Sequence, residues 1–201
     1  MATGDASRYT KVLFTGPPGI GKTTICKKLV SLLEKQNYTI DGFYTEEVRD
    51  SKKSRIGFDV VSIKNSENRA PLARVADVLT QQQFQKHRVG NYHVFTENFE
   101  RIALPTLNSK TDIVFIDEIG KMELFSEKFA TTIKNLFFGK RNKKCIVATI
   151  PPIHKVPQKY LSFFRHFHED DSCKFIEVTR QNRENLPQEM STTVSSILRK
   201  V

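Results

Sequence analysis

In the stretch FTGPPGIGKTT at residues 14–24, three glycines and two prolines come directly after a short apolar run and are followed by one lysine and two threonines. A loop so rich in glycine and proline buries little apolar surface and joins no regular ladder. Its composition therefore does not serve core packing. We interpret it as a segment that wraps a group from outside the chain.

The pattern within this stretch is G-x-x-x-x-G-K-[ST], the P-loop, which begins at Gly16 and ends with Lys22 and Thr23. It lies between a predicted strand, KVLFT at residues 11–15, and a predicted helix at residues 22–34 with apolar residues at helical spacing. In this context the backbone N–H groups surround phosphate oxygens, and glycines leave room for them. The predicted nucleotide-binding residues of the loop are Gly16, Pro17, Pro18, Gly19, Ile20, Gly21, Lys22, Thr23 and Thr24.

A P-loop acts with a metal ion and with an acid on a neighbouring strand. Lys22 is expected to reach the β- and γ-phosphates, and the hydroxyl of Thr23 to coordinate Mg²⁺, the predicted cofactor. Asp117 ends the apolar run IVFI, so it emerges at the carboxyl edge of a buried strand. We therefore predict Thr23 and Asp117 as the metal ligands.

The next residue, Glu118, indicates the reaction class. A carboxylate beside the metal-holding aspartate is placed to orient a water molecule, or take its proton, for attack on the γ-phosphoryl group. The predicted catalytic residues are Lys22 and Glu118, and the predicted reaction is hydrolysis of a nucleoside triphosphate. Two alternatives stay open: a nucleotide, nucleoside or polynucleotide kinase, and a nucleic-acid-associated P-loop ATPase.

The composition describes a folded protein of one domain. The chain has 201 residues, of which 38% are hydrophobic, and we expect a single domain at residues 11–201 after a flexible tail at residues 1–10. No apolar run reaches the length of a membrane span and no secretory signal is evident, which predicts the cytoplasm and leaves the nucleus open. The three cysteines are far apart in the sequence, so neither a disulfide framework nor a thiolate zinc site is expected.

The formal net charge of +10 raises the question of a polyanionic partner. The short basic clusters at residues 51–55 and 139–144 fall at predicted turns, and no aromatic stacking motif accompanies them. Nucleic acid is therefore left open as a partner but is not favoured. We expect a monomer whose partner is its nucleoside triphosphate substrate.

The order of predicted elements is that of an α/β protein with a mostly parallel sheet covered by helices on both faces. Residues 38–48 and 55–63 predict an inserted antiparallel hairpin. Residues 64–85 give a poor signal: KNSENRAPL at residues 64–72 is loop-like, and LTQQQFQK at residues 79–86 is read as a short helix or a lid. The remaining predictions are strands at residues 91–95, 111–118, 144–150 and 174–178, and helices at residues 97–107 (ending near Pro105), 122–138 and 184–199.

Four segments carry a resemblance to a known family: TGPPGIGKTT, the hairpin DGFYTEEVR with RIGFDVV, the strand end VFIDEIGKMELF, and VTRQNRENL. Together they resemble the THEP1-type nucleoside-triphosphatases from Lys11 to about Leu198. The resemblance implies a RecA-like P-loop fold and Mg²⁺-dependent hydrolysis of nucleoside 5′-triphosphates to diphosphates with broad base specificity. It also implies nucleotide binding by residues 16–24, and metal and water-activating roles for Asp117 and Glu118.

Further candidates come from strand ends and from arginines. Arg183 follows the last predicted strand, where a guanidinium could stack on any base; the alternative is a helix N-cap by Asn182 with Arg183 in solvent. One of Glu46 and Glu47 is expected to face the site, because side chains alternate along a strand. The candidates for an arginine that stabilises transition-state charge are Arg55, Arg88 and Arg165.

Overall fold

The computed structural model describes residues 9–139 and 144–199. Most of the predicted N-terminal tail and residues 140–143 of the second basic cluster lie outside the described residues. The strands are β1 (Lys11–Thr15), β2 (Ile40–Arg49), β3 (Arg55–Ser62), β4 (Arg69–Val75), β5 (His87–Val89), β6 (Tyr92–Val94), β7 (Ile113–Ile116), β8 (Cys145–Thr149) and β9 (Cys173–Glu177). The α-helices are α1 (Lys22–Glu34), α2 (Thr96–Leu107), α3 (Glu127–Phe138), α4 (Gln158–Glu169) and α5 (Leu186–Leu198).

The strands form one sheet in the order β5-β6-β4-β3-β2-β7-β8-β1-β9. From β2 to β9 neighbouring strands run parallel, whereas β3, β4, β6 and β5 are added antiparallel to one another. Strand β8 lies between β1, which leads into the P-loop, and β7, which leads to Asp117. The predicted α/β class, with parallel strands between helices and an antiparallel insertion, is confirmed.

The parallel strands are buried on both faces. Along β1 the side chains alternate, with Val12 and Phe14 on the face covered by α1 and α5, and Leu13 on the face covered by α2, α3 and α4. All three are fully buried, as expected for a parallel sheet between two helical layers. Among the helices of the described ranges, none has both the length and the apolar character needed to cross a membrane.

The antiparallel part of the sheet is larger than the predicted hairpin. Strand β4 lies within residues 64–85, where the sequence signal was poor, and it begins in the segment that was expected to be a loop. The stretch read as a short helix or a lid contains a 3₁₀ turn, Gln81–Gln83. Strand β4 contains Pro71, which cannot donate to a ladder, and the pairing of β3 with β4 is irregular between Phe58 and Asp59, beside the partner of Pro71. Its buried residues Ala70 and Leu72 alternate as a strand requires, and buried Ala73 follows Leu72 directly.

Two helical regions also differ from prediction. Helix α4 was not predicted, although Phe164 and Phe167 lie on its buried side at helical spacing. The predicted helix at residues 122–138 is divided: a short 3₁₀ turn, Glu123–Phe125, precedes α3. Ser126 separates them because its hydroxyl caps α3 by accepting a hydrogen bond from the Phe129 amide at 2.9 Å.

The hairpin of β2 and β3 projects beyond the parallel part of the sheet. Strand β2 pairs with β7 only as far as Phe43, which lies opposite Ile116, and then continues to Arg49 paired with β3 alone. At a rise of about 3.3 Å per residue, this projection reaches about 20 Å past the end of β7. Because Asp117 directly follows β7, the hairpin stands beside the edge from which this acid emerges.

Candidate active site

The P-loop owes its shape to three glycines with positive φ. Gly16, Gly19 and Gly21 have φ values of 146°, 74° and 111°, a region that disfavours other residues. A Cβ on Gly16 would lie 2.8 Å from the carbonyl oxygen of Val178, so this glycine is required for packing against the end of β9. At Gly19 and Gly21 a Cβ would meet nothing within 4 Å, so the space beside the loop is open.

Lys22 lies across this loop at the start of α1. Its side chain is largely buried, and Nζ donates a hydrogen bond to the carbonyl oxygen of Gly16 at 3.1 Å. Gly21 precedes the helix without a side-chain cap. The ammonium group and the uncapped N–H groups of the first helical turn therefore converge on the same loop, as anion binding requires.

A cavity of about 560 Å³ opens beside the P-loop. Its lining contains the predicted residues Pro18, Gly19, Gly21, Lys22, Thr23, Thr24 and Glu118, and also Lys27, Thr45, Glu46, Glu47, Arg55 and Phe58. Gly16, Pro17 and Ile20 do not border this cavity and face neighbouring clefts instead. The structure thus brings most of the predicted loop residues together with Glu118.

Asp117 lies at the buried edge of this site, with 1% of its surface exposed. Its Oδ1 accepts a hydrogen bond from the Thr149 hydroxyl at 2.6 Å, whereas Oδ2 has no hydrogen-bond partner among the described residues. Burial raises the pKa of Asp117, and the hydroxyls of Thr149 and Thr23 and the charge of Lys22 oppose this shift. The Thr23 hydroxyl is thus close enough to Asp117 to favour its charged form over its protonated form. It nevertheless makes no hydrogen bond to Oδ2.

The oxygens around Asp117 suit a hard divalent cation. A hydroxyl and a carboxylate are ligands that Mg²⁺ accepts, and Mg²⁺ commonly takes only one or two protein ligands together with substrate phosphates and water. In the described ranges there is no group of three His, Cys, Asp or Glu side chains that could hold a metal by itself. The free Oδ2 of Asp117 beside Thr23 therefore fits a metal shared with a substrate.

Glu118 is half-buried and borders the cavity directly. Burial raises its pKa; the nearby charge of Lys22 opposes this effect, and that of Asp117 adds to it. A carboxylate with a raised pKa is a better proton acceptor than a free one, and it remains within reach of the lysine that would hold phosphate. This is the arrangement expected of a general base beside a phosphate site.

Glu123 is a third acid at this edge, and the sequence analysis did not identify it. It is 5% exposed, and a Cβ on Gly120 would lie 2.8 Å from its Oε2 and 3.2 Å from Oε1 of Glu118. Burial raises the pKa of Glu123 to about 8, and the charge of Glu118 contributes. The sequence offered one signal for Glu123: it lies one helical turn after Gly120, which itself follows Asp117 and Glu118 closely.

The other acids and arginines separate into those that border the cavity and those that do not. Of the three candidate arginines only Arg55 lines it, and Arg88 and Arg165 do not. Both Glu46 and Glu47 line it, so the expectation that only one would face the site is wrong.

Arg183 lies beside the P-loop but outside the main cavity. It lines a smaller cleft of about 90 Å³, and its Nη1 lies 3.5 Å from the carbonyl oxygen of Ile20. Asn182 is not a helix cap, because α5 begins at Leu186; its Oδ1 instead accepts a hydrogen bond from the Thr179 amide at 2.8 Å. The alternative prediction was a helix N-cap by Asn182 with Arg183 in solvent. Its N-cap at Asn182 is therefore wrong.

Comparison with known proteins identifies the family. A family model described as NTPase matches residues 11–191. This chain belongs to that NTPase family. It is 38% identical over 193 residues to the cancer-related nucleoside-triphosphatase homolog of Mus musculus, covering 92% of this chain and 96% of the relative. It is 36% identical over 183 residues to the nucleoside-triphosphatase THEP1 of Thermotoga petrophila, covering 90% of each.

A solved structure agrees with this assignment of the NTPase chain. The crystal structure of THEP1 from the hyperthermophile Aquifex aeolicus superposes with a TM-score of 0.71 at 32% sequence identity. The match covers 90% of this chain and 96% of that one. The predicted resemblance to THEP1-type nucleoside-triphosphatases and the predicted P-loop fold are both confirmed.

Proposed function

We propose that this NTPase-family chain binds a nucleoside triphosphate in the 560 Å³ cavity and hydrolyses it to a nucleoside diphosphate and phosphate. The observation that carries the proposal is the meeting of Lys22, Thr23 and Glu118 in one cavity, with the orphaned Oδ2 of Asp117 beneath it. Its relatives are named nucleoside-triphosphatases, which supports the same reaction.

The chain's own groups would hold the triphosphate from two sides. The backbone N–H groups around Gly19 and Gly21 and the ammonium of Lys22 bind the β- and γ-phosphates, and the Thr24 hydroxyl donates to the α-phosphate. Thr23 and Asp117 would ligate Mg²⁺. When bound, this ion would neutralise negative charge on the phosphates.

Glu118 would act on the attacking water. Its carboxylate orients the molecule in line with the γ-phosphorus and accepts its proton as the new oxygen–phosphorus bond forms. The bond between the γ-phosphorus and the β–γ bridging oxygen breaks, and its electron pair leaves with the nucleoside diphosphate. The proton then passes from Glu118 to solvent, which restores the carboxylate.

The proposal extends to base selection, but not to the oligomeric state or the location of the protein. Arg183 lies beside the P-loop, where its planar guanidinium could stack on ATP, GTP, CTP or other bases without reading their edges. Broad base specificity would follow. The monomer and the cytoplasm stay predictions from the sequence.

The test compares the unmodified protein with Glu118→Gln, with each nucleoside triphosphate, Mg²⁺ and no acceptor. We expect the protein to release phosphate, and the variant to keep nucleotide affinity within about threefold while turnover falls about 100-fold or more. Glu127→Gln, at an exposed acid on α3, is the control and should retain turnover.

Three results would contradict parts of this proposal. Full phosphate release by Glu118→Gln would remove this residue from the mechanism. No phosphate release by the unmodified protein with any triphosphate would refute hydrolysis. Phosphate that appears only on an added nucleoside or nucleotide would identify a kinase instead.

A further inference from the structure

The nucleotide cavity contains a cation that the proposed mechanism leaves without a role. Three cationic side chains line it: Lys22, Lys27 and Arg55. Lys22 is assigned to the phosphates. Lys27 forms a short ion pair with Glu46, which also contacts Arg69 at 3.2 Å. Lys27 therefore joins α1 to the hairpin, and Arg55 is the cation left for the substrate.

Arg55 is held loosely. Its Nη1 lies 3.5 Å from Oε1 of Glu47, while the other carboxylate oxygen of Glu47 accepts a 2.5 Å hydrogen bond from Arg49. Among the described residues the guanidinium of Arg55 makes no hydrogen bond that competes with a ligand, and 45% of its side chain is exposed. A guanidinium with five donors is therefore available in the cavity.

Phe58 supports this guanidinium from the side. The carbon of the guanidinium lies 5.5 Å from the centre of the Phe58 ring, and Phe58 lies opposite Glu47 in the hairpin register. Arg55 lies opposite Arg49 at the far end of the hairpin, and its contacts with Phe58 and Glu47 place its guanidinium back along the hairpin, nearer to β7 than its own backbone. The stack leaves the edge of the guanidinium, where its donors lie, free to turn to an anion.

In phosphoryl transfer, charge builds up on the γ-phosphoryl oxygens and on the bridging oxygen of the leaving group. Lys22 reaches these groups from the loop side only. We propose that Arg55 is a catalytic residue that binds the γ-phosphoryl oxygens in the transition state, from the hairpin side of the cavity. This assignment rests on the proposed hydrolysis, and it makes an arginine from a partner protein unnecessary.

The assignment separates Arg55 from Arg49, which provides a matched control. The two arginines lie opposite each other in the hairpin and share Glu47, but only Arg55 borders the cavity. Removing either one takes a cation away from the same acid and from the same ribbon. A purely structural role in the hairpin would therefore affect both variants alike.

The experiment measures steady-state hydrolysis for Arg55→Ala, Arg55→Lys and Arg49→Ala in the full chain with Mg²⁺. We expect Arg55→Ala to lower kcat about 1000-fold with KM changed less than about threefold. Arg55→Lys should restore only part of this loss, because an ammonium lacks the planar fork. Arg49→Ala should keep kcat within about threefold, and added guanidinium ion should raise the turnover of Arg55→Ala.

A second measurement tests the transition state directly. Affinity for nucleoside diphosphate with aluminium fluoride, a mimic of the transferring phosphoryl group, should fall strongly in Arg55→Ala, while affinity for the diphosphate alone should stay within about threefold. Mixing Arg55→Ala with Glu118→Gln should not recover activity if the arginine acts within its own chain.

The outcomes separate this assignment from the proposed function. If the unmodified protein hydrolyses nucleotide and Arg55→Ala has the same kcat, with KM unchanged or raised, the assignment is refuted. The proposed hydrolysis then stands. Equal losses of kcat in Arg55→Ala and Arg49→Ala would also refute it. So would recovery of activity on mixing Arg55→Ala with Glu118→Gln. If the unmodified protein hydrolyses nothing, both proposals fall.

Discussion

Replacing Glu123 by glutamine should make the free protein less sensitive to alkaline pH. Glu123 is 5% exposed, and burial raises its pKa from the ordinary 4.5 to about 8. Between these values the unfolded chain ionises this acid and the folded chain keeps it protonated. Folding stability from this group is therefore complete below pH 4.5 and is lost as pH rises toward 8.

The size of the effect follows from the pKa difference. One pKa unit corresponds to about 1.4 kcal/mol, so Glu123 should cost the native state about 3 kcal/mol more at pH 8.5 than at pH 5.5. Glutamine has the same size and no charge. In the Glu123→Gln variant this part of the pH dependence should disappear.

Urea unfolding of the metal-free protein at several pH values measures this difference. The unfolding free energy of the unmodified chain should fall relative to that of Glu123→Gln as pH rises, by about 3 kcal/mol over this interval. Glu127→Gln, an exposed acid close by in sequence, should follow the unmodified chain. If Glu123→Gln also follows it within about 0.5 kcal/mol, Glu123 is not held protonated at neutral pH and the reasoning is wrong.

Three further perturbations test the fold and the site. Gly42→Ala should destabilise the protein by about 4 kcal/mol in urea unfolding, since its Cβ would lie 1.9 Å from the carbonyl oxygen of Phe115; Gly90→Ala, with open space around it, should cost only about 1 kcal/mol. Thr149→Val should lower the unfolding free energy by about 2 kcal/mol and reduce turnover, because a buried carboxylate loses its donor; unchanged kinetics would show that this hydrogen bond does not position the acid. Arg183→Ala should weaken ATP, GTP and CTP about tenfold alike, and unaltered affinities in a titration would exclude base stacking.

The parts of the site that the sequence predicted are those encoded locally. The P-loop occupies one continuous stretch whose glycines, lysine and threonine have fixed spacing, so the loop, its strand and its helix could be recognised without knowing which distant residues they contact. Asp117 and Glu118 could be placed because an apolar run ends directly before them. A strand end is a local signal, and the carboxyl edge of a parallel sheet is where ligands bind.

The parts that the sequence did not predict depend on strand order. Thr149 ends β8, and it reaches Asp117 only because β8 lies between β1 and β7. The sequence around residue 149 does not indicate that Thr149 will lie beside Asp117. Strand β4 was missed for a related reason: its three buried residues, Ala70, Leu72 and Ala73, are few and two of them are small, and its position depends on pairing with β3.

The three acids at the end of β7 divide between two roles because their surroundings differ. Lys22 opposes the rise in the pKa of Asp117 and of Glu118, whereas burial and the charges of Glu118 and Asp117 raise the pKa of Glu123 to about 8. Glu123 is therefore protonated at neutral pH, and it does not border the cavity. The neutral acid behind the site then allows Glu118 to be charged where the water would attack, since two adjacent carboxylates would raise each other's pKa.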